Sequence, residues 1–457
     1  MGGFFMAEET AAARALPAEE KVFNRWLVVL GAMLIQVSLG AVYIYSVFKP
    51  SLAARFPTWS ATDLALPSQV ILAFFALGVV VAGRIQDKMG PKKVAMAGGV
   101  MLGAGLILAS RMESLMMFTI FFSVLGGLGI GTAYVCPLAT CVKWFPDMRG
   151  LITGLAVAGF GAGALVFTPV AKALVAATGI MPTFMWLGII FLVAVVLGSM
   201  LLNLPPAGFK PAGWNPPAPA AGTASAAASD FVWQEMLKTP QFWILWLTYF
   251  AACTAGLMII MNVLNIWQSV SILSIGNTSL IPQATFKGIT DIGATAIMVV
   301  AILNAGGRIA WGKVSDNLGR KTTLLIMFAI CGATMLALNF LTSFPLFITG
   351  VSIVGFCFGG FLALYPAVTA DYFGTKNMGA NYGWMFLAFG GGGLFGPWLA
   401  PKLQAIVAKV PYEAMDKGVV VVKQFAAGNF LYAFVTAGIM CIVSVGLVWI
   451  VKPPVKK

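Results

Sequence analysis

The sequence predicts an all-α integral membrane protein of twelve transmembrane helices, built as two six-helix bundles related by a pseudo-two-fold axis. Three observations carry that expectation. The 457-residue chain is 60% hydrophobic and only 9% charged, whereas a soluble domain carries about 25% charged residues. Apolar runs long enough to span a bilayer recur from Trp26 to Val451 without strand alternation. In lipid only spanning helices or closed barrels satisfy the backbone, so helices are expected. Finally, one loop motif occurs twice at a fixed spacing, and a segment rich in Pro, Ala, Gly and Ser lies between the copies.

The runs lie near 26–48, 66–86, 94–110, 115–140, 151–176 and 182–204, then 240–264, 292–313, 322–341, 345–369, 379–403 and 427–450. Linker composition between the sixth and seventh splits the chain. The expected division is a tail (1–25), an N-terminal bundle (26–204), a linker (205–239), a C-terminal bundle (240–451) and a short tail (452–457). Connections 265–290 and 402–426 are long, and the sequence assigns them no role. The first 23 residues hold four Glu and no apolar core, which predicts no cleavable signal peptide.

The net charge of +13 is topological rather than a nucleic-acid signature. Alternate loops counted from the N-terminus hold 18 Lys and Arg on one side and 9 on the other, with Arg308 left over. The positive-inside rule then puts both termini in the cytoplasm of a cell (inner) membrane. Six cysteines sit in apolar segments without a Cys-x-x-Cys pair, and there is no histidine. No metal, no cofactor and no nucleophile–base pair is expected, so an enzyme is not the reading.

The doubled motif is Gly83-Arg-Ile-Gln-Asp87-Lys-Met-Gly90-Pro-Lys92 after span 2 and Gly312-Lys-Val-Ser-Asp316-Asn-Leu-Gly319-Arg320-Lys321 after span 8, offset by 229 residues. A second pair, Trp144-Phe145-Pro146 and Tyr372-Phe373-Gly374, is offset by 228. Two pairs at nearly one spacing indicate an internal duplication of parallel type, which puts a substrate between the halves. The doubled loop, central linker and 6+6 layout resemble the major facilitator superfamily over essentially the whole chain. The resemblance implies that these motif residues form a cytoplasmic gate: Asp at a helix end, Gly in the tight turn and basic residues on the cytoplasmic face. Pro91 departs from the Arg usual there. Asn24-Arg25-Trp26, Trp144 to Gly150, Glu235 to Trp243, Gly307-Arg308 and Asn381-Tyr382-Gly383 resemble the oxalate/formate antiporter group, relatives of the monocarboxylate porters.

Arg308 stands in an apolar run with no acidic residue within several positions. A guanidinium keeps its proton, so in lipid it must face water, partners or an anion. Snorkelling is the rival reading, because Lys313 follows roughly 7 Å further along a helix. The repeat weighs against it. The counterpart 229 residues earlier is Val79, although both halves have basic loops. A planar fork suits a carboxylate, and the resemblance implies that an arginine here binds substrate carboxylate. Asn304, one turn earlier, shares that face, with a helix-packing amide as the rival reading. Monocarboxylate porters keep an Asp there as proton partner, which Asn does not replace. The resembled oxalate carrier has a lysine in span 11, where this chain has Phe389. One fixed charge matches one carboxylate, so formate, lactate or pyruvate is expected ahead of oxalate. Tyr43, Tyr134 and Phe358 fall where the resembled carriers keep cavity aromatics. Tyr45, Trp384 and Phe389 are further wall candidates, with lipid-facing positions as the rival reading.

Gly127, Gly129 and Gly131 imitate a dinucleotide fingerprint, but with no preceding strand they read as close helix packing. Gly159, Gly161 and Gly163, and Gly390 to Gly396, read as places where helices bend or slide, with plain packing as the rival reading. No Asp or Glu lies deep in a span. Transport is then either anion exchange, or symport in which the substrate accepts the proton. The expected partners are a small carboxylate, with or without a proton, and the bilayer, the protein acting as a monomer. Competing readings are an oxalate/formate exchanger, a carrier of neutral or cationic solutes such as a drug exporter, which would want an acidic cavity residue, and a non-transporting sensor.

Overall fold

The computed structural model of the chain describes residues 23–454 except 207, 212, 215–229, 277–279 and 417–418. Most of the predicted N-terminal tail, the middle of the linker and the last three residues lie outside the described residues. The N-terminal half contributes α1 (Arg25–Arg55), α2 (Ala61–Met89), α3 (Pro91–Ala109), α4 (Leu115–Trp144), α5 (Arg149–Thr178) and α6 (Ile180–Met200). The C-terminal half contributes α7 (Pro240–Ile275), α8 (Gln283–Leu318), α9 (Arg320–Phe340), α10 (Phe344–Phe373), α11 (Met378–Leu403) and α12 (Leu431–Ile450). Eleven of these are long and apolar enough to cross a membrane. The exception, α11, is long enough at 26 residues. Its four consecutive glycines, with Pro397 and Pro401, dilute its apolar content.

Local chemistry sets the helix ends. Asn24 accepts the Trp26 N–H at the start of α1, and Ser60 and Asp63 close a reciprocal capping box on α2. The motif glycines Gly90 and Gly319 have φ of 86° and 83°, a region costly for any residue with a Cβ, and each turns the chain into the next helix. Within α1 the helix tightens to 3₁₀ geometry over Gly40–Ile44. A Cβ at Gly40 would strike the Phe160 carbonyl of α5, so close helix approach accompanies the change of pitch.

Helices pack mainly within their own half, and two seams join the halves: α2 against α11, and α5 against α8. Glycines line both. A Cβ at Gly83 would meet the Gly379 carbonyl, and one at Gly312 the Gly150 carbonyl. The 229-residue offset relates these pairs too, so the duplication seen in sequence is a duplication of contacts.

The two long connections acquire structure. Helices α7 and α8 have 36 residues each, about 54 Å at 1.5 Å per residue against a hydrocarbon core of about 30 Å. Their surplus rises from the face opposite the termini. There it packs on an antiparallel hairpin, β1 (Ala405–Asp416) and β2 (Val419–Asn429). A satellite core of Ile272, Ile281, Val410 and Ala427 binds helices to hairpin, and Phe286 stacks on Tyr412 at 3.9 Å. The hairpin is the one strand pair among the described residues of an otherwise helical protein.

Candidate functional site

Arg308 lies on α8 and is 2% exposed. Two close backbone approaches put it there. A Cβ at Gly307 would strike the Phe356 carbonyl, and one at Gly359 the Asn304 carbonyl, so α8 and α10 lie nearly backbone to backbone. On the other side, a Cβ at Gly154 of α5 would strike the Arg308 carbonyl. The side chain therefore crosses the seam into the N-terminal half. Nη1 donates to the Val157 carbonyl at 2.5 Å, while Nη2 and Nε donate to Asn304 Oδ1 at 2.8 and 3.3 Å. Asn304 is itself held by donating from Nδ2 to the Gly355 carbonyl at 2.9 Å.

A guanidinium has five N–H donors. Those three bonds use one each from Nε, Nη1 and Nη2, so one hydrogen on each terminal nitrogen remains available. No carboxylate is paired with Arg308 among the described residues. Tyr43, Tyr134 and Tyr249 lie within electrostatic range of it. The result is a buried, uncompensated cation with a two-pronged donor and phenols nearby. That can hold a planar anion.

Aromatic rings surround the site. Phe160 meets Tyr43 at 5.4 Å and Tyr134 at 5.2 Å, both edge-on. Across the seam, Phe386 lies 5.2 Å from Phe75 and 5.0 Å from Tyr134, and stacks on Phe389 at 4.7 Å. Tyr43 and Phe389 form a constriction together with Leu72 and Met261. Beyond it, a cleft of about 790 Å³ opens between α1, α2, α7 and α11.

Of the predicted wall residues, the structure brings Tyr43, Tyr134, Asn304, Arg308 and Phe389 to this centre. Phe358 is buried in the adjoining helix packing, where its ring fills the notch left by Gly256 on α7. Tyr45 is elsewhere: it packs on Phe122 at 5.2 Å inside the N-terminal half. Two residues on, past the end of the 3₁₀ turn, a side chain leaves the helix about 200–240° around the axis, so Tyr43 and Tyr45 do not share a wall. Trp384 stands near the start of α11 at the face bearing the termini. It stacks on Trp233 at 5.5 Å, and the Arg84 guanidinium lies 3.9 Å from the Trp233 ring centroid and 5.3 Å from that of Trp384.

The motif residues close that same face. Asp87 accepts the Gly379 and Ala380 N–H groups at 3.1 and 2.7 Å, at the start of α11. Asp316 accepts those of Gly150 and Leu151 at 2.9 and 2.8 Å, at the start of α5. A carboxylate on a helix N-terminus meets both orphan donors and the positive end of the helix dipole. The second copy is reinforced, since Arg320 pairs with Asp316 at 2.7 Å and with Asp371 at 2.8 Å, and Arg149 also pairs with Asp371. Lys321 Nζ donates to the Val451 carbonyl at 3.1 Å. Lys92 is exposed. The face bearing the termini is shut, and the cleft opens on the other.

Sequence reasoning missed Val157, Phe75, Phe160, Tyr249 and Phe386. For Gly161, where sequence leaves bending and plain packing open, a Cβ would lie 2.9 Å from Arg308 Cζ, a close approach of the packing kind. Its missing side chain is the room the guanidinium occupies.

A family model described as Major Facilitator Superfamily matches residues 23–397 and 270–457. The chain is 31% identical over 376 residues to the uncharacterized MFS-type transporter YhjX of Escherichia coli (strain K12), covering 81% of this chain and 86% of that one. It is 31% identical over 391 residues to the oxalate:formate antiporter of Oxalobacter formigenes, covering 83% and 85%. It is 27% identical over 396 residues to apicoplast pyruvate carrier 1 of Toxoplasma gondii, covering 75% and 69%. Among solved structures, the proton:xylose symporter XylE bound to 6-bromo-6-deoxy-D-glucose aligns with a TM-score of 0.65 at 13% identity, over 93% of this chain and 95% of that one. FucP in the outward conformation aligns at 0.61 with 14% identity, over 93% and 97%. At those identities the structural likeness speaks for the fold.

Proposed function

Because the chain belongs to the major facilitator superfamily, we propose that it carries small monocarboxylate anions, of the formate, lactate or pyruvate type, across a cell membrane by alternating access. The observation that carries this reading is Arg308, a buried guanidinium without a carboxylate partner among the described residues and with two donors left over. A carboxylate fits that fork with two parallel, charge-assisted hydrogen bonds. Named relatives that handle oxalate, formate and pyruvate support the substrate class. Among the described residues, none of the groups acting on Arg308 is a carboxylate that a neutral or cationic solute would use as partner.

In this reading the units 26–204 and 240–451 rock about the site, with both termini in the cytoplasm, as the excess of 18 Lys and Arg over 9 supports. The shut face is then cytoplasmic and the cleft is outer. Asn304 orients Arg308 and does not titrate. The proton, where one travels, rides on the substrate; otherwise the carrier exchanges anions.

Oxalate-for-formate exchange is the second reading, favoured by the 31% identity to an antiporter of that name. Against it stands Phe389, an uncharged ring where oxalate would need a second cation.

The test is uptake of labelled formate, lactate and oxalate into proteoliposomes, comparing wild type with Arg308→Ala and Arg308→Lys. Monocarboxylate flux that collapses in both variants supports the reading, since lysine keeps the charge and loses the fork. Flux that survives Arg308→Ala sinks the site. Binding without flux makes the protein a sensor.

A further inference from the structure

The outer cleft is walled by apolar side chains such as Phe250, Met261 and Trp398, yet Lys49 of α1 lines it beside Gln69 of α2. Lys49 is half-buried, and its one described contact is the Tyr45 ring, 5.9 Å from its ammonium. It takes part in no ion pair among the described residues. The nearest carboxylate along α2, Asp63, is turned into its own cap, accepting from the Ser60 backbone and hydroxyl at 2.9 and 2.8 Å. From the other half, exposed Lys402 follows Trp398 by one turn, on the same stripe of α11.

The cleft shares Leu72, Met261 and Gly393 with the constriction, which ends at Tyr43. Lys49 lies six residues beyond Tyr43 on the same helix, roughly 9 Å outward. Three cations, Lys402, Lys49 and Arg308, therefore mark a route from the mouth inward, between walls that are mostly apolar. Such walls focus an electric field and raise the local concentration of the opposite ion.

We propose that Lys49, aided by Lys402 at the rim, is an outer capture site for the carboxylate of the incoming substrate. The proposal rests on the carboxylate-carrier reading above. A small carboxylate pairs with the Lys49 ammonium, with a Gln69 amide hydrogen as second donor, and then passes Tyr43 and Phe389 to the Arg308 fork. Because Lys49 is a waystation, it speeds arrival and departure alike. It sets the rate of access to the central site and leaves that site's equilibrium affinity unchanged.

The experiment compares wild type, Lys49→Gln and Lys49→Arg in proteoliposomes, using labelled formate and lactate at low and high ionic strength, alongside equilibrium binding of the same anions. Lys49→Gln is expected to lower Vmax/KM about 3–10-fold at low salt, with Vmax and Kd within about twofold and the difference gone at high salt. Lys49→Arg keeps wild-type values. The six native cysteines are buried, so Lys49→Cys can be modified selectively from outside. A cationic thiol reagent then restores Vmax/KM, and a sulfonate reagent lowers it further. The proposal is overturned if Lys49→Gln leaves Vmax/KM unchanged at low salt, lowers it equally at both salts, or weakens Kd in step with it. Wild type that moves no carboxylate overturns the carrier reading as well, and is told apart by that result alone.

Discussion

Gly161→Ala tests whether the seat of Arg308 across the seam is what presents it to substrate. The added Cβ would lie 2.9 Å from Arg308 Cζ and 3.0 and 3.2 Å from its terminal nitrogens. Carbon atoms rest comfortably at about 3.5–4.0 Å, so the guanidinium must retreat by roughly 0.6–1 Å. Helix α5 cannot yield instead, because Gly154 already abuts the Arg308 carbonyl and Gly163 the Val37 carbonyl. The retreat breaks the bond to the Val157 carbonyl and turns the two remaining donors off line. One hydrogen bond to a charged group contributes about 1.5–3 kcal/mol, which corresponds to roughly 10–100-fold in affinity. The expected outcome is a KM for monocarboxylate uptake raised by that factor, and a ligand-induced thermal shift lost in proportion. The thermal midpoint without ligand should stay near that of wild type. Gly159→Ala is the control. Its Cβ would meet the flexible end of Met33 at 3.1 Å and Gln36 Cβ at 3.3 Å; the thioether gives way and the second contact needs a shift of only about 0.2 Å, so KM should move by less than about threefold. Wild-type KM in Gly161→Ala would refute the geometric argument.

Asp316→Asn and Asp87→Asn each remove a charge from a helix N-terminus and at least one of two hydrogen bonds, so about 1.5–3 kcal/mol of gate closure is lost. Spin labels at Met89→Cys and Leu318→Cys, exposed and on opposite halves, should then report a population opened on the terminal face; an unchanged distance distribution counts against the gate. Trp233→Ala removes one ring from the Arg84 stack, about 0.5–2 kcal/mol of cation–π attraction, and should shift the same distances in the same direction without altering Kd. Phe389→Lys places a second cation at the constriction, and oxalate should then compete with formate uptake about tenfold better. Unaltered competition would mean that charge count does not set selectivity.

Much of this protein could be read along one dimension. Lipid demands long apolar helices, so hydropathy marks the spans, and duplication marks the paired contacts on the face bearing the termini through a 229-residue spacing. An arginine in lipid needs a reason, so Arg308 announced itself. The Asn304–Arg308 pair was legible because one helical turn separates them. Other features depended on segments far apart in the chain. The Val157 carbonyl and the Gly161 gap that seat the guanidinium lie on another helix, about 150 residues away, and a glycine kept for clearance looks in sequence like one kept for bending. Tyr43 and Tyr45 look alike until the helix phase parts them, and Trp384 reads as a cavity ring until Trp233 is seen against it. The hairpin escaped notice because its residues bury few side chains and alternate weakly; Val407 and Val422 remain exposed. The sequence by itself determined which segments enter the membrane and which cation must be answered there. Only the tertiary structure decided what answers it, because the contacts that orient Arg308 are made across the seam, where periodicity along one chain carries no information.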